Sequence, residues 1–160
     1  MRIFSLFSSI IEKGLHSSLV KVLVASVFRH LQLILGIVIV TRFLHSMDLA
    51  YAAADLIVSR AGAMTCSEIL AAGKPSILIP SPNAAEGHQL NNASLMADLA
   101  GSRVITEDEI DSTTLRTAIE EILDNEGLMA EMSERALRAA KPNAAAEIAR
   151  HVLSLVKLPT

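Results

Sequence analysis

Three short apolar runs, set between helix-length segments, constrain this chain more than any other feature. They are Asp55 to Ser59 (DLIVS), Ser76 to Pro80 (SILIP) and Ser102 to Ile105 (SRVI). Strands that are apolar without alternation belong in a sheet covered on both faces, which is the habit of parallel sheets. The segments between them read as helices. Met47 to Ala54 precedes the first run, and Thr65 to Ala72 follows it, stopped by Gly73 and Pro75. His88 to Ala100 has Leu90, Ala93, Leu95, Met96 and Leu99 as apolar positions and Gly101 as its stop. Three more helices follow, Ser112 to Asp124, Gly127 to Ala140 and Ala144 to Val156, with Asp111 or Ser112 capping the first. Strand alternating with helix predicts an α/β fold around a parallel sheet. With no strand after them, the last helices would pack across the sheet or reach toward a neighbouring domain.

The 160 residues suffice for one domain with a real core. Net charge is −3 and no basic stretch could neutralise a row of phosphates, which argues against a nucleic-acid partner. The single cysteine, Cys66, excludes an intrachain disulfide and fits a reducing cytoplasm. Residues 1–41 form an apolar leader set apart from 42–160. Within it, Leu19 to Val40 is long enough to span a bilayer, but Lys21, Arg29, His30 and Gln32 interrupt it, and its clean run, Leu33 to Val40, is only strand-sized. No small-residue cleavage site follows, so a signal peptide fits poorly. A buried strand plus helix, a membrane-associated segment and an aberrant leader all stay open for it.

The stretch most informative about chemistry is Ser59 to Gly73, SRAGAMTCSEILAAG. A strand ends, a turn of small residues follows, and a helix begins. That order presents the backbone N–H groups of Gly62, Ala63, Met64 and Thr65 at a helix N-terminus, where the macrodipole adds about half a positive charge. Such a corner binds phosphate, and in open α/β sheets ligands bind at this end of the strands. A blander reading needs no ligand: Thr65 and Glu68 have the Thr-x-x-Glu spacing of a capping box. Free of the cap, Glu68 could accept hydrogen bonds from ribose hydroxyls. The second element is His88-Gln89-Leu90-Asn91-Asn92. Gln89 and Asn92 share a helix face, and amides suit the mixed donors and acceptors of a sugar. A solvated helix start accounts for them equally, and His88 reads as a ligand, a cap or a surface residue.

From Phe43 to Ala93 the chain resembles the C-terminal domain of the MurG family, bacterial transferases that move N-acetylglucosamine from UDP onto lipid I to give lipid II. The matching positions are Met47, Tyr51, Ala54-Asp55, Ser59 to Thr65, Glu68, Gly73, Pro75, Ile79-Pro80, His88, Gln89 and Asn92. A looser match runs on to about Val156. The resemblance implies a single Rossmann-like parallel-sheet domain, the C-terminal half of a two-domain GT-B glycosyltransferase. It implies that Glu68 holds the uridine ribose, that Gly62, Ala63, Met64 and Thr65 hold the pyrophosphate and sugar edge, and that Gln89 and Asn92, with His88 beside them, hold the sugar hydroxyls. Leu44 would lie against the uracil. Arg60 takes a structural or phosphate-supporting role. No cofactor and no metal are implied, because the helix end holds the diphosphate. The partners implied are UDP-N-acetylglucosamine, lipid I and the cytoplasmic face of the inner membrane. In this family the candidate base is the histidine of a Gly-Gly-Thr-Gly-Gly-His motif in the N-terminal domain. That motif is not in this sequence. The expectation is therefore a chain without a catalytic residue, inactive or nearly so by itself. The alternative is a non-catalytic nucleotide-sugar-binding subunit that works with a separate membrane-anchored partner.

Overall fold

The computed structural model describes residues 44–84 and 87–156. The apolar leader at 1–41 therefore lies outside the described residues. Helix α1 (Met47–Ala53) leads into strand β1 (Ile57–Ser59). Helix α2 (Ala63–Ala72), strand β2 (Ser76–Leu78), helix α3 (His88–Ala100) and strand β3 (Arg103–Val104) follow in strict alternation. Helices α4 (Ser112–Leu123), α5 (Glu126–Ala139) and α6 (Ala144–Leu155) complete the described chain. The sheet is parallel in the order β1-β2-β3, with Val58 opposite Ile77 and Leu78 opposite Val104. This is the expected α/β, Rossmann-like arrangement. The strands are shorter than the apolar runs that signal them.

Two cores flank the sheet, and strand alternation assigns residues to each. Leu56, Val58, Ile77 and Ile79 join Ile105, Leu115, Ile119, Ile122 and Met132 on one face, under α4. Ile57 and Leu78 join Tyr51, Cys66, Ile69, Ala93 and Met96 on the other, under α1, α2 and α3. Both crossovers step the same way along the sheet. Right-handed connections then put α2 and α3 on one face, as observed. Burying a Leu or Ile side chain contributes about 1.5–3 kcal/mol, against a net of about 0.5–1.5 kcal/mol for a hydrogen bond. For three-residue strands, the fully buried Leu56, Ile57, Ile77 and Leu78 therefore outweigh the ladder.

Helix α3 departs from the expected pattern. Its buried residues are Ala93, Met96 and Ala100, while Leu90, Leu95 and Leu99 are exposed. The buried stripe runs along one face, with Met96 filling the core between Ala93 and Ala100. Helix α5 crosses the end of the layer where α2 and α3 finish. Gly73 closes α2 in the left-handed region at φ 62°, and a Cβ there would fall 2.6 Å from Leu137 of α5. Arg135 of α5 donates from Nη2 to the Asp98 carbonyl at 2.7 Å, and its Nε reaches the Leu99 carbonyl. It thus places a cation on the negative end of α3. Helix α6 behaves differently again. It buries no residue, and Ile148, Val152, Leu153 and Leu155 are exposed. Among the described residues no helix is long and apolar enough to cross a membrane.

Two outcomes follow from this packing. Gly73→Ala is expected to lose about 2–5 kcal/mol in denaturant unfolding, from left-handed strain plus overlap with Leu137; a loss below about 1 kcal/mol would show that α5 does not sit there. Asp111 caps α4, accepting from the Thr113 and Thr114 amides at 2.8 and 2.7 Å. The Thr114 amide first, and its hydroxyl second, hold the Asp111 carboxyl below its usual value. A depressed folded value means stability that is present above the unfolded value and lost as pH falls below it. The melting difference between the parent and Asp111→Ala should therefore be full at pH 7 and shrink as pH drops below about 4; a difference independent of pH would contradict the cap.

Candidate functional site

The corner between β1 and α2 holds most of the residues singled out in the sequence. Helix α2 starts at Ala63, two residues before Thr65, with Gly62 as its cap in extended conformation at φ −68° and ψ 144°. No side chain caps it. The first intrahelical donor is Cys66, whose N–H reaches the Gly62 carbonyl at 2.9 Å. The amides of Ala63, Met64 and Thr65 are thus those of the first turn, which an α-helix cannot satisfy internally. A Cβ at Gly62 would meet only Thr65 Oγ1, at 3.8 Å, so backbone at this point is approachable.

The capping-box reading of Thr65 and Glu68 fails. Thr65 lies inside the helix rather than at its cap, so Glu68 falls in the second turn, too far along to return to the cap amide. Glu68 is exposed, and its Oε2 accepts a hydrogen bond from the Tyr51 hydroxyl at 3.0 Å. Tyr51 itself is buried in the α1–α2 packing. Burial first, and the bond to Glu68 second, push its phenol well above the ordinary range. Cys66 faces the core one turn below the helix start, and burial raises its thiol to about 11.

The amides at the start of α3 converge on the same corner, and both make structural bonds. Asn92 Nδ2 donates to the carbonyl of buried Ala61 at 3.0 Å. Gln89 Oε1 accepts from the Ser81 N–H at 2.9 Å, holding the loop after β2. His88 is the first residue of α3 and is exposed. Arg60, 15 % exposed, donates from Nη1 to the Ile79 carbonyl at 3.2 Å and pairs through Nη2 with Glu107. That ties the ends of β1 and β2 to the loop after β3, so the structural option read for Arg60 in the sequence is realised. Leu44 and Met64 are exposed, at 41 % and 74 %.

Sequence reasoning missed three parts of this corner. Tyr51 was visible as a motif position but not as the partner of Glu68. The 47-residue separation of Arg60 from Glu107 has no local signature. The role of Ser81 depends on a backbone amide, which any residue supplies.

A parallel sheet with helices on both faces and an uncapped glycine turn at its carboxyl edge defines the Rossmann-like class of α/β domain. Residues 24–149 match the model of the glycosyltransferase family 28 C-terminal domain, and the chain belongs to that family. The matched span begins inside the leader, upstream of the first residue that the sequence resemblance reaches. Among curated relatives, UDP-N-acetylglucosamine–N-acetylmuramyl-(pentapeptide) pyrophosphoryl-undecaprenol N-acetylglucosamine transferase of Salinibacter ruber is 42 % identical over 116 residues. The same enzyme of Flavobacterium psychrophilum is 38 % identical over 115. Each match covers 72 % of this chain and 31 % of the relative, so the chain spans about a third of their length. The crystal structure of Acinetobacter baumannii MurG superposes with a TM-score of 0.66 at 32 % identity, over 72 % of this chain and 33 % of that one. The kitacinnamycin glycosyltransferase superposes with a TM-score of 0.54 at 26 % identity, over 70 % and 29 %.

The Asn92 bond generates a prediction that needs no ligand. Asn92→Ala leaves the buried Ala61 carbonyl without its partner, and unfolding in denaturant should show a loss of about 1–3 kcal/mol. A change within about 0.5 kcal/mol would mean that Asn92 does not brace the turn.

Proposed function

We propose that this chain is the UDP-N-acetylglucosamine-binding part of the transferase that adds N-acetylglucosamine to lipid I, forming lipid II for peptidoglycan. The observation that carries the reading is the uncapped first turn of α2 with Glu68 one turn further on, in a chain of family 28. The diphosphate lies at the Ala63, Met64 and Thr65 amides beside Gly62, where hydrogen-bond donors and the helix dipole act together. Glu68 accepts from the ribose hydroxyls. Leu44 lies against the uracil. His88, Gln89 and Asn92 face the sugar. Gln89 keeps its Nε2 group as a donor, since the Ser81 bond engages only its Oε1. The printed names of the relatives support the donor and the lipid-linked acceptor.

In this reading the chain's own contribution to transfer is to stabilise the departing UDP, whose negative charge grows at the α2 N-terminus as the glycosidic bond breaks. Deprotonation of the acceptor hydroxyl requires a base, which we assign to a domain of the Gly-Gly-Thr-Gly-Gly-His type. In this reading the family 28 C-terminal domain holds the nucleotide sugar and does not supply the base. A lipid-linked acceptor requires a membrane surface, and the reading puts the complete enzyme on the cytoplasmic face of the inner membrane.

Calorimetric titration with UDP-N-acetylglucosamine tests the site. Two charge-assisted hydrogen bonds lost in Glu68→Ala should weaken binding by about 100-fold or more. Equal affinity of parent and variant would overturn the assignment.

A further inference from the structure

Tyr51 is only 4 % exposed, yet its hydroxyl makes its bond to an exposed group, Glu68 Oε2, at 3.0 Å. Phenylalanine would fill the same core space between α1 and α2. What tyrosine adds is a single O–H donor held by a ring that packing fixes in place. A glutamate on an exposed helix face samples many rotamers, and each must be given up when a ligand binds. A bond made before the ligand arrives removes part of that cost. The carboxylate has about four acceptor positions on its two oxygens. Tyr51 takes one on Oε2, which leaves Oε1 and the rest of Oε2 for two neighbouring hydroxyls. The donor is also permanent, because burial and the bond itself keep the phenol protonated throughout the neutral and moderately alkaline range.

We propose that Tyr51 is a positioning residue: its hydroxyl fixes the Glu68 carboxylate for two vicinal hydroxyls of a ribose, and so sets the preference of the site for ribonucleotides over nucleotides lacking those hydroxyls. The proposal rests on the ribose-binding reading of Glu68 given above. It differs from a purely structural tie between α1 and α2, which would affect every ligand alike.

The experiment titrates the full chain, Tyr51→Phe and Glu68→Ala with UDP and with 2′,3′-dideoxy-UDP, alongside thermal unfolding of each protein. The parent should prefer UDP. In Tyr51→Phe that preference should narrow about tenfold, while dideoxy-UDP binds within about twofold of the parent. In Glu68→Ala it should vanish. If Tyr51→Phe keeps the parental preference, or weakens both ligands equally, the positioning role is wrong while the ribose assignment stands. If Glu68→Ala keeps the preference, the ribose assignment itself falls, and this proposal with it. A second measurement does not depend on any variant folding. Tyr51 is the only tyrosine of the chain, so 3-fluorotyrosine labelling gives one fluorine resonance. It should shift on saturation with UDP and move much less with dideoxy-UDP; a resonance indifferent to UDP would overturn the proposal.

Discussion

The first turn of α2 sets the terms for the rest of the molecule. Its amides need partners, and neither the helix nor a capping side chain provides them. They are tolerable because the β1–α2 turn lies at the rim of the sheet and not beneath it. Two features of the fold keep the rim accessible. Parallel strands that end at the same edge place the starts of α2 and α3 there. Helix α5 closes the other edge, where Leu137 meets Gly73 and Arg135 covers the end of α3. The chain thus concentrates helix packing at one end of the layer and leaves the first-turn amides of α2 open at the other.

Holding that rim in shape falls to polar residues around it. Asn92 braces the Ala61 carbonyl, Gln89 holds the Ser81 amide, and Arg60 links the ends of two strands to Glu107. Arg60 and Glu107 are partly exposed, at 15 % and 33 %, so solvent screens the attraction between them. Their value lies in geometry: a planar guanidinium with two fixed partners resists rotation in a way that a lysine would not. A sugar-binding face assembled on these residues would inherit a scaffold already fixed by bonds that do not involve the ligand.

The α/β class was legible because apolar runs without alternation have few other homes, and the glycines after α2 and α3 marked their ends. Strand lengths were less so: Pro80 and Ile105 lie in apolar runs, but the ladder stops at Leu78 and Val104. The capping-box reading failed for a local reason. Thr-x-x-Glu spacing says nothing about where a helix begins, and Gly62 with Ala63 opens α2 earlier than Thr65 alone would. Helix α6 shows the limit most plainly. Its apolar residues have helical periodicity, which reads as a buried face, yet none of them is buried among the described residues. Periodicity specifies a face, not the surface that covers it. Tyr51 and Glu68, 17 residues apart, are joined only once α1 packs on α2, and no pattern in either helix announces that.

Gly62 explains how such a corner persists without large cost to folding. A serine, threonine or aspartate cap would stabilise α2, and replacing one with alanine typically loses about 0.5–2 kcal/mol. Glycine loses only a few tenths, because its backbone is hydrated and free to adopt the cap conformation. It is therefore the residue that leaves the first-turn amides available at least expense in stability. A capping side chain would bond to one of those amides and place its own oxygen where an anion would otherwise sit. The absence of a Cβ acts in the same direction, since the approach to the turn is limited only by Thr65 Oγ1. A sequence selected for stability alone would place a capping residue at position 62; glycine there, followed by Ala63 and Met64 with no acid in the first turn, leaves the first amides of α2 without a side-chain partner.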